Sequence, residues 1–375
     1  NHEFIDVAHG SKYINYFMAG LKEDGSAWTW GRNEYGQLGN NTRTNYSSPV
    51  SVVGNHSFIQ ISVGENNTLA LKKDGLAWAW GNNNSGQLGD NTITSQSSPI
   101  LIAGNHSFIK IVAGHTACAG LKKDGSVWTW GLNAGRLGDN TTDDKSSPVL
   151  VAGSHSFISL SGTGAYFFCL KENGEAWGWG FNTYGRLGTG TSGDIYSSPV
   201  SLIGNHSFKY LNCGLFSALA LKEDGSAWAW GYNAYGALGD NTVTDRSSPI
   251  SIVGNHSFVQ ISAGSESLFA LKKDGTLWAW GRNTYGQLGD GTQTHKSSPT
   301  LFPFNYKFTQ IRGGNYYTFG ISPRLSQPAK ALRNIANSEN NEKKIILTSN
   351  YEDMSSPFTT WKYRQKITID YTKVP

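Results

Sequence analysis

One short segment recurs six times along the chain and constrains its fold more than any other feature. The second copy runs from Leu71 to Gly81 and reads Leu-Lys-Lys-Asp-Gly-Leu-Ala-Trp-Ala-Trp-Gly. Successive copies are spaced 50, 50, 49, 51 and 50 residues apart, measured between the second tryptophans, which are Trp30, Trp80, Trp130, Trp179, Trp230 and Trp280. A fixed period of this length indicates a repeat architecture in which each copy is one structural unit.

Each copy is predicted to form a β-hairpin. Asp-Gly, or Asn-Gly in the fourth copy, separates two alternating apolar runs, and this dipeptide favours the type I′ turn that joins adjacent strands. In the second copy Trp78 and Trp80 then lie on one face of the strand, and small residues fill the other face. Because such a sheet can stack on a copy of itself, as propeller blades do, the tryptophan pairs are interpreted as packing units between blades rather than as a ligand-stacking motif.

Every full repeat is predicted to contain four short strands. A Phe-x-x-Ile segment forms the first strand, the hairpin forms the second and third, and the fourth begins at the proline of a Ser-Ser-Pro motif, such as Pro49. The opening segment occurs seven times but the hairpin only six, so the seventh repeat, residues 301–321, is incomplete. The glycine-rich loop before each fourth strand carries a leucine that is predicted to plug the core: Leu38, Leu88, Leu137, Leu187, Leu238 and Leu288.

Composition and charge exclude several classes of partner. Residues 323–375 hold 9 of the 31 Lys and Arg and 5 of the 27 Asp and Glu, so residues 1–322 carry 22 of each and are neutral. A neutral body argues against binding to nucleic acid or to an anionic membrane surface. No apolar run is long enough to cross a membrane, so membrane insertion is not expected. The three cysteines follow no disulfide or metal spacing and are predicted to be buried thiols: Cys118, Cys169 and Cys213.

The repeats also resemble a known family. The segment from Gly31 to Gly39, which follows Trp28-Thr29-Trp30, resembles the signature of the regulator-of-chromosome-condensation (RCC1-like) repeat family. The resemblance covers residues 1–322 and is closest to bacterial members, whose loops run Gly-Asp-Asn-Thr. It implies an all-β fold, a seven-bladed β-propeller of four-stranded blades with an incomplete seventh repeat and a C-terminal extension. The missing seventh hairpin, and Thr163 in place of the usual glycine, depart from the family pattern.

Three regions are expected along the chain. Residues 1–322 form the propeller, residues 323–360 a linker with a short helix over 328–342, and residues 361–375 the start of a further β domain or a closing strand. The last segment, 361–374, is weakly similar to the opening of a concanavalin-like domain found in secreted bacterial proteins. The chain is therefore interpreted as one module of a larger exported protein.

No catalytic constellation is present in the sequence, so the protein is not expected to be an enzyme or to use a cofactor. It contains no His-Glu-x-x-His, no Gly-x-Ser-x-Gly and no phosphate-binding glycine loop. The loop aspartates offer too few carboxylates for a Ca²⁺ site, so no metal is predicted and they are expected to cap the loops by hydrogen bonds: Asp90, Asp139, Asp240 and Asp290. One repeat position holds a histidine that is interpreted as structural: His2, His56, His106, His155, His206 and His256.

The loop positions after each tryptophan strand vary between repeats, and they are the candidate binding residues. Tyrosine and arginine, which are enriched in binding hot spots, are prominent among them. The alternative is that the rings pack on neighbouring blades. The candidates are Arg32, Tyr35, Phe181, Tyr184, Tyr232, Tyr235, Arg282 and Tyr285. A separate repeated position provides glycosylation sequons at Asn55, Asn105, Asn205 and Asn255.

The favoured hypothesis is a non-enzymatic module that binds a protein or a surface glycan and is located outside the cell or on its surface. One alternative is a structural assembly subunit, because an unpaired seventh repeat would leave a strand edge that recruits another strand. The tail strand beginning at Lys343 would supply that strand in the same molecule or in the next one. A further alternative, implied by the family, is nucleotide exchange on a small GTPase, which predicts an acidic contact loop that the sequence does not display.

Overall fold

The computed structural model describes residues 4–10, 17–303, 306–313, 318–322 and 344–348 of the chain. The helix expected over 328–342, the terminal segment 361–375 and His2 lie outside these residues. No helix in the described ranges is long and apolar enough to span a membrane.

Six four-stranded antiparallel sheets follow one another along the chain, and each corresponds to one sequence repeat. The first two blades consist of β1 (Asp6–His9), β2 (Phe17–Leu21), β3 (Ala27–Gly31), β4 (Tyr46–Ser51), β5 (Gln60–Val63), β6 (Asn67–Leu71), β7 (Ala77–Gly81) and β8 (Gln96–Leu101). The third and fourth blades consist of β9 (Phe108–Ala113), β10 (Ala117–Lys122), β11 (Val127–Gly131), β12 (Lys145–Leu150), β13 (Ser159–Gly162), β14 (Tyr166–Leu170), β15 (Ala176–Phe181) and β16 (Ile195–Ser201). The fifth and sixth blades consist of β17 (Tyr210–Cys213), β18 (Ser217–Leu221), β19 (Ala227–Gly231), β20 (Arg246–Ser251), β21 (Gln260–Ala263), β22 (Ser267–Leu271), β23 (Leu277–Gly281) and β24 (Lys296–Leu301).

The expectation of seven four-stranded blades is wrong. The structure contains six such blades, and the seventh repeat contributes to a sheet of only three strands within the described residues: β25 (Gln310–Gly313), β26 (Thr318–Ser322) and β27 (Lys344–Thr348). The physical reason is the missing hairpin, because no tryptophan strand follows β26. Its place is taken by β27, which comes from beyond residue 323 and pairs with β26 in the same chain.

The first strand of each blade lies on the inside, where it packs on the first strands of the neighbouring blades. Close approach there requires glycine, since a Cβ atom added at Gly64 would lie 2.1 Å from the carbonyl oxygen of Gly114. The three-stranded sheet lies between the sixth and first blades. Gly313 N donates to Ser262 Oγ of the sixth blade at 2.7 Å, and Gly313 O lies 3.0 Å from His9 Nε2 of the first blade.

In the second to sixth blades the second tryptophan of the pair packs against the preceding blade, which confirms the sequence interpretation for these residues. Trp80 is fully buried against Phe17 and Leu38 of the preceding blade. Its indole Nε1 donates to Gln37 O at 3.0 Å, and Trp130, Trp230 and Trp280 make the equivalent bond at 2.8–3.0 Å. All six loop leucines are buried, as predicted.

The repeated histidines have a structural role. The ring of His56 lies 4.3 Å from the ring of Trp78, and Lys72 covers the same indole at 4.8 Å. Burial, together with the charge of Lys72, lowers the pKa of His56. Equivalent His–Trp contacts occur in the third to sixth blades.

The predicted start of the fourth strand is wrong by three residues. In the first blade this strand begins at Tyr46, and Pro49 lies inside it rather than at its first position. The proline is tolerated because the fourth strand is the outer edge of its blade, where the missing N–H interrupts no ladder.

The cysteine prediction is confirmed for two of the three residues. All three are free thiols; Cys118 and Cys169 are buried, whereas Cys213 is half-buried. Burial raises the pKa of Cys118 to about 12, so its thiol is unreactive at neutral pH.

The indole hydrogen bond between blades predicts unequal effects of the same substitution. Trp80→Phe removes the bond to Gln37, whereas Trp179 Nε1 has no hydrogen-bond partner among the described residues. We expect Trp80→Phe to lower the free energy of unfolding by about 1 kcal/mol more than Trp179→Phe, measured by urea denaturation. Equal losses would show that the indole N–H contributes nothing beyond ring packing.

Candidate protein-binding face

Strand direction sorts the loops onto two faces of the propeller. Antiparallel order places the turns between first and second strands and the loops between third and fourth strands at the same end of each blade. This end is called the loop face. The Asp-Gly hairpins and the connections between blades lie at the other end, the hairpin face. All eight candidate binding residues therefore belong to the loop face, and the four sequon asparagines, which are exposed, belong to the hairpin face.

Each glycine-rich loop is organised by one buried asparagine. In the fifth blade, Asn233 Oδ1 accepts a hydrogen bond from Leu238 N at 2.8 Å, which fixes the leucine plug. Its Nδ2 lies 3.0–3.2 Å from Asp240 Oδ1, Thr242 O and Thr244 O. The same position is buried in every blade: Asn33, Asn83, Asn133, Asn182, Asn233 and Asn283. The loop fold is thus independent of the residues that point outward.

The loop aspartates make the capping hydrogen bonds expected of them. Asp240 Oδ1 accepts from Thr242 N at 3.0 Å and from Thr242 Oγ1 at 2.7 Å, while Oδ2 pairs with Arg246 at 2.9 Å. Burial raises the pKa of Asp240, but the hydrogen bonds from Thr242 and Arg246 outweigh burial and hold it below its ordinary value. Within the described ranges, no group of three or more His, Cys, Asp or Glu side chains is placed to hold a metal ion.

These carboxylates predict an acid-dependent stability. A carboxyl group whose pKa is lower in the folded protein stabilises the fold above its unfolded pKa, about 3.9, and this stabilisation is lost as the pH falls through the folded pKa. Asp240→Asn should preserve the fold, since Asn40 of the first blade makes the equivalent hydrogen bonds to Asn33 and Thr42 without an ion pair. We expect the variant to lose less unfolding free energy than the wild type between pH 5 and about pH 2, measured by urea denaturation. An unchanged pH dependence would contradict this prediction.

Five of the eight candidate residues meet on the fourth to sixth blades. The ring of Tyr184 lies 4.8 Å from that of Tyr232, which in turn lies 6.2 Å from Tyr235. The guanidinium of Arg282 covers Tyr235 at 4.9 Å and Tyr285 at 5.5 Å. These five residues together with Phe216 are called the aromatic band. All six are partly exposed.

The other three candidates lie apart from these contacts. Phe181 shares a loop with Tyr184, but its ring stacks under the guanidinium of Arg136 at 4.5 Å. Arg32 forms an ion pair with Glu34 of its own loop on the first blade. Tyr35 belongs to the same first-blade loop, where its N–H donates to Gln37 Oε1.

Several contributors to the face were missed by sequence reasoning. Phe216 lies 5.9 Å from Tyr232, Glu266 forms an ion pair with Arg282, and His295 lies 4.9 Å from Tyr235. Phe216 and Glu266 come from the short turns that precede second strands, where other repeats have Asn66, Thr116 and Ala165. The variation between repeats at this position is the sequence signal that could have identified Phe216 and Glu266 as part of the face.

Burial and neighbouring charges shift the pKa values of three polar side chains on the loop face. Burial raises the pKa of Tyr232, and Glu266 adds to the shift, so its hydroxyl stays protonated at neutral pH. Burial and the charge of Arg282 lower the pKa of His295. Burial lowers the pKa of Arg282, but the hydrogen bond and charge of Glu266 outweigh burial and raise it.

The backbone of Tyr184 is strained. Its φ of 63° and ψ of 16° lie in the left-handed region, and it is the only aromatic residue with positive φ among the described residues. Such a conformation costs roughly 1–2 kcal/mol for a side chain that makes no local hydrogen bond. The surrounding loop therefore holds this ring, which is 40 % exposed, against Phe216 and Tyr232. Strain of this kind is typical of functional positions.

The partial exposure of the band predicts that its rings can be removed without unfolding the propeller. We expect the combined substitution of Tyr184, Tyr235 and Tyr285 by Ser to lower the free energy of unfolding by less than about 2 kcal/mol in total. Tyr166→Ser is the control, because this ring is fully buried and its hydroxyl donates to Gly214 O at 2.6 Å. It should cost about 3–5 kcal/mol. A triple variant that unfolds would identify the rings as core.

The successive four-stranded antiparallel sheets define the fold as a β-propeller. A family model described as an RCC1-like domain matches residues 2–320, so the chain belongs to the RCC1-like family, as its repeats indicated. No curated protein matches the chain.

Solved structures share the fold at low sequence identity. Human WBSCR16 is 22 % identical with a TM-score of 0.74, and the alignment covers 84 % of this chain and 85 % of that one. Prp20p from Saccharomyces cerevisiae, a protein that binds Gsp1p and histones, is 22 % identical with a TM-score of 0.72, over 83 % of this chain and 80 % of that one. The ectodomain of the receptor kinase CR4 from Physcomitrella patens is 16 % identical with a TM-score of 0.57, over 86 % and 71 % of the two chains. At these identities the likeness shows the fold alone.

Proposed function

We propose that this propeller is a non-enzymatic module that binds another protein through the aromatic band of its loop face. The observation that carries the proposal is the continuity of the band, which links partly exposed rings and Arg282 across three adjacent blades. Tyrosine, phenylalanine and arginine are enriched in protein interfaces and in their hot spots. The strained backbone of Tyr184 supports the same conclusion.

The ring geometry favours a protein partner over a surface glycan. Tyr184 and Tyr232 are inclined by 51°, Tyr232 and Tyr235 by 73°, and Tyr235 and His295 by 71°. Rings inclined to one another in this way do not present the single flat platform on which a sugar ring would stack. Prp20p, which shares the fold, binds proteins, and this analogy supports the proposal only at the level of the fold.

We further propose that the module is located outside the cell or on its surface. The sequon asparagines Asn55, Asn105, Asn205 and Asn255 are exposed on the hairpin face, so glycans there would leave the aromatic band free. Gly89-Asp90-Asn91-Thr92 supports membership of the bacterial subgroup of the family.

Two alternatives have weaker support. Assembly by strand exchange needs an open edge at the seventh repeat, but β27 covers the edge of β26 within the same chain. Nucleotide exchange on a small GTPase would require an acidic contact loop, and Glu266, the acidic residue that contacts the aromatic band, is paired with Arg282.

Selection from a randomised peptide library displayed on phage tests the proposed function. We expect peptides to be enriched on the wild-type propeller and to bind the triple variant of Tyr184, Tyr235 and Tyr285 at least about tenfold more weakly. The matched control is Tyr35→Ser, which removes the same kind of loop tyrosine from the first blade. No enrichment, or equal binding to the triple variant, would overturn the proposal. Binding to a glycan array instead of peptides would favour the glycan alternative.

A further inference from the structure

Arg186 is a buried cation beneath the aromatic band, at the junction of the fourth and fifth blades. Its side chain is only 6 % exposed. Nε donates to Thr183 O and Nη1 donates to Leu215 O, both at 3.0 Å. The guanidinium lies 5.2 Å from the ring of Tyr166 and 5.8 Å from the ring of Phe216. It is therefore held in one orientation by two carbonyl oxygens and two aromatic rings.

No carboxylate balances this charge within the described part of the chain. The other arginines of the face differ, since Arg282 pairs with Glu266 and the charge of Asp144 acts on Arg136. Burial lowers the pKa of Arg186, yet a guanidinium remains charged at any physiological pH. A buried charge without an opposite charge is unfavourable, so the site is electrostatically incomplete.

The free edge of the guanidinium is open. An arginine side chain has five N–H donors, and the two bonds above use one on Nε and one on Nη1. Nη2 has no hydrogen-bond partner among the described residues. It is not fully shielded from solvent, so a ligand atom can reach it. The remaining donors on Nη1 and Nη2 form the edge that binds a carboxylate by two parallel hydrogen bonds.

The fold does not require an arginine at this position. The equivalent residues are Gln37, Gln87, Ala237 and Gln287 in four blades, and Arg136 in the third blade. Gln87, for example, satisfies its Nε2 with a hydrogen bond to Asn82 Oδ1 at 2.8 Å. Four blades therefore manage without a charge here, and of the two arginines at this position only Arg186 has no carboxylate acting on it within the described residues.

We propose that Arg186 is a recognition site for a carboxylate of the protein partner, an Asp or Glu side chain that enters beside Phe216 and Tyr184. This inference rests on the proposed function and specifies the chemistry of the partner. The carboxylate supplies the missing negative charge, while the rings of Phe216, Tyr184 and Tyr232 contact the apolar part of the same segment. A neutral amide would leave the guanidinium unbalanced, so the site discriminates Asp and Glu from Asn and Gln.

The peptide library tests the specificity of this site. Peptides enriched on the wild type should carry Asp or Glu at one fixed position. Arg186→Gln, a residue that three other blades accept, should abolish that preference and weaken binding by about tenfold or more. Arg136→Gln is the matched control and should leave the preference unchanged. Peptides without an acidic position, or an acidic preference that survives Arg186→Gln, would overturn the inference while leaving the tyrosine-dependent function intact.

A spectroscopic measurement tests the pocket without any selected peptide. The Nε–Hε signal of Arg186 is assigned by its loss in Arg186→Gln. Titration with N-acetyl-aspartate amide should shift this signal saturably, and N-acetyl-asparagine amide should not. No selective shift would overturn the inference, and a saturable shift with glucuronate but not with the aspartate derivative would assign the site to an acidic sugar.

Discussion

The rest of the structure depends on the packing of the second tryptophan against the preceding blade, which four of the blades reinforce with an indole N–H hydrogen bond. This bond reaches from one blade into the glycine-rich loop of the preceding blade and ends on a backbone carbonyl, as that of Trp80 does on Gln37. That carbonyl directly precedes the buried leucine of the loop, so one bond joins two blades and anchors the loop at the same point. Because the acceptor is a backbone atom, the side chain of the acceptor residue is free to vary.

This freedom explains how one repeat supports both packing and recognition. In each loop the buried asparagine accepts a hydrogen bond from the N–H of the buried leucine. The residues that point outward from the loop are therefore not needed to hold it in place. The fourth blade uses one of those positions for Tyr184, the fifth uses two for Tyr232 and Tyr235, and the sixth uses two for Arg282 and Tyr285. The second blade has Asn82 and Ser85 there. The face is consequently asymmetric although the scaffold is regular. At the acceptor position itself, the same freedom accommodates Arg186 where three other blades have glutamine.

Much of the fold was predictable from the sequence, because the features that specify it are local. The hairpins, the four strands of each of the six full repeats and the buried leucines follow from turn chemistry and periodicity, and the structure confirms them. The predicted type I′ turn is wrong, because φ is positive at Gly25 and its equivalents but not at the preceding Asp24. The number of four-stranded blades was not predictable in this way. Seven openings suggested seven blades, but a blade also needs a third strand, and in the last sheet that strand comes from Lys344–Thr348, which has no repeat signature. Strand pairing over such a distance depends on tertiary contacts.

For the candidate site, the sequence by itself determined which positions vary and that they share one face. The loop tyrosines and Arg282 were identifiable because they interrupt a regular pattern. Only the tertiary structure decided which of them meet, since contact across blades depends on the curvature of the ring and not on sequence spacing. It joined Phe216 to the tyrosines of neighbouring loops, and it buried Arg186 beneath them without an acidic partner in the described chain. The charge balance of a buried residue is set by everything packed around it, which no single repeat encodes.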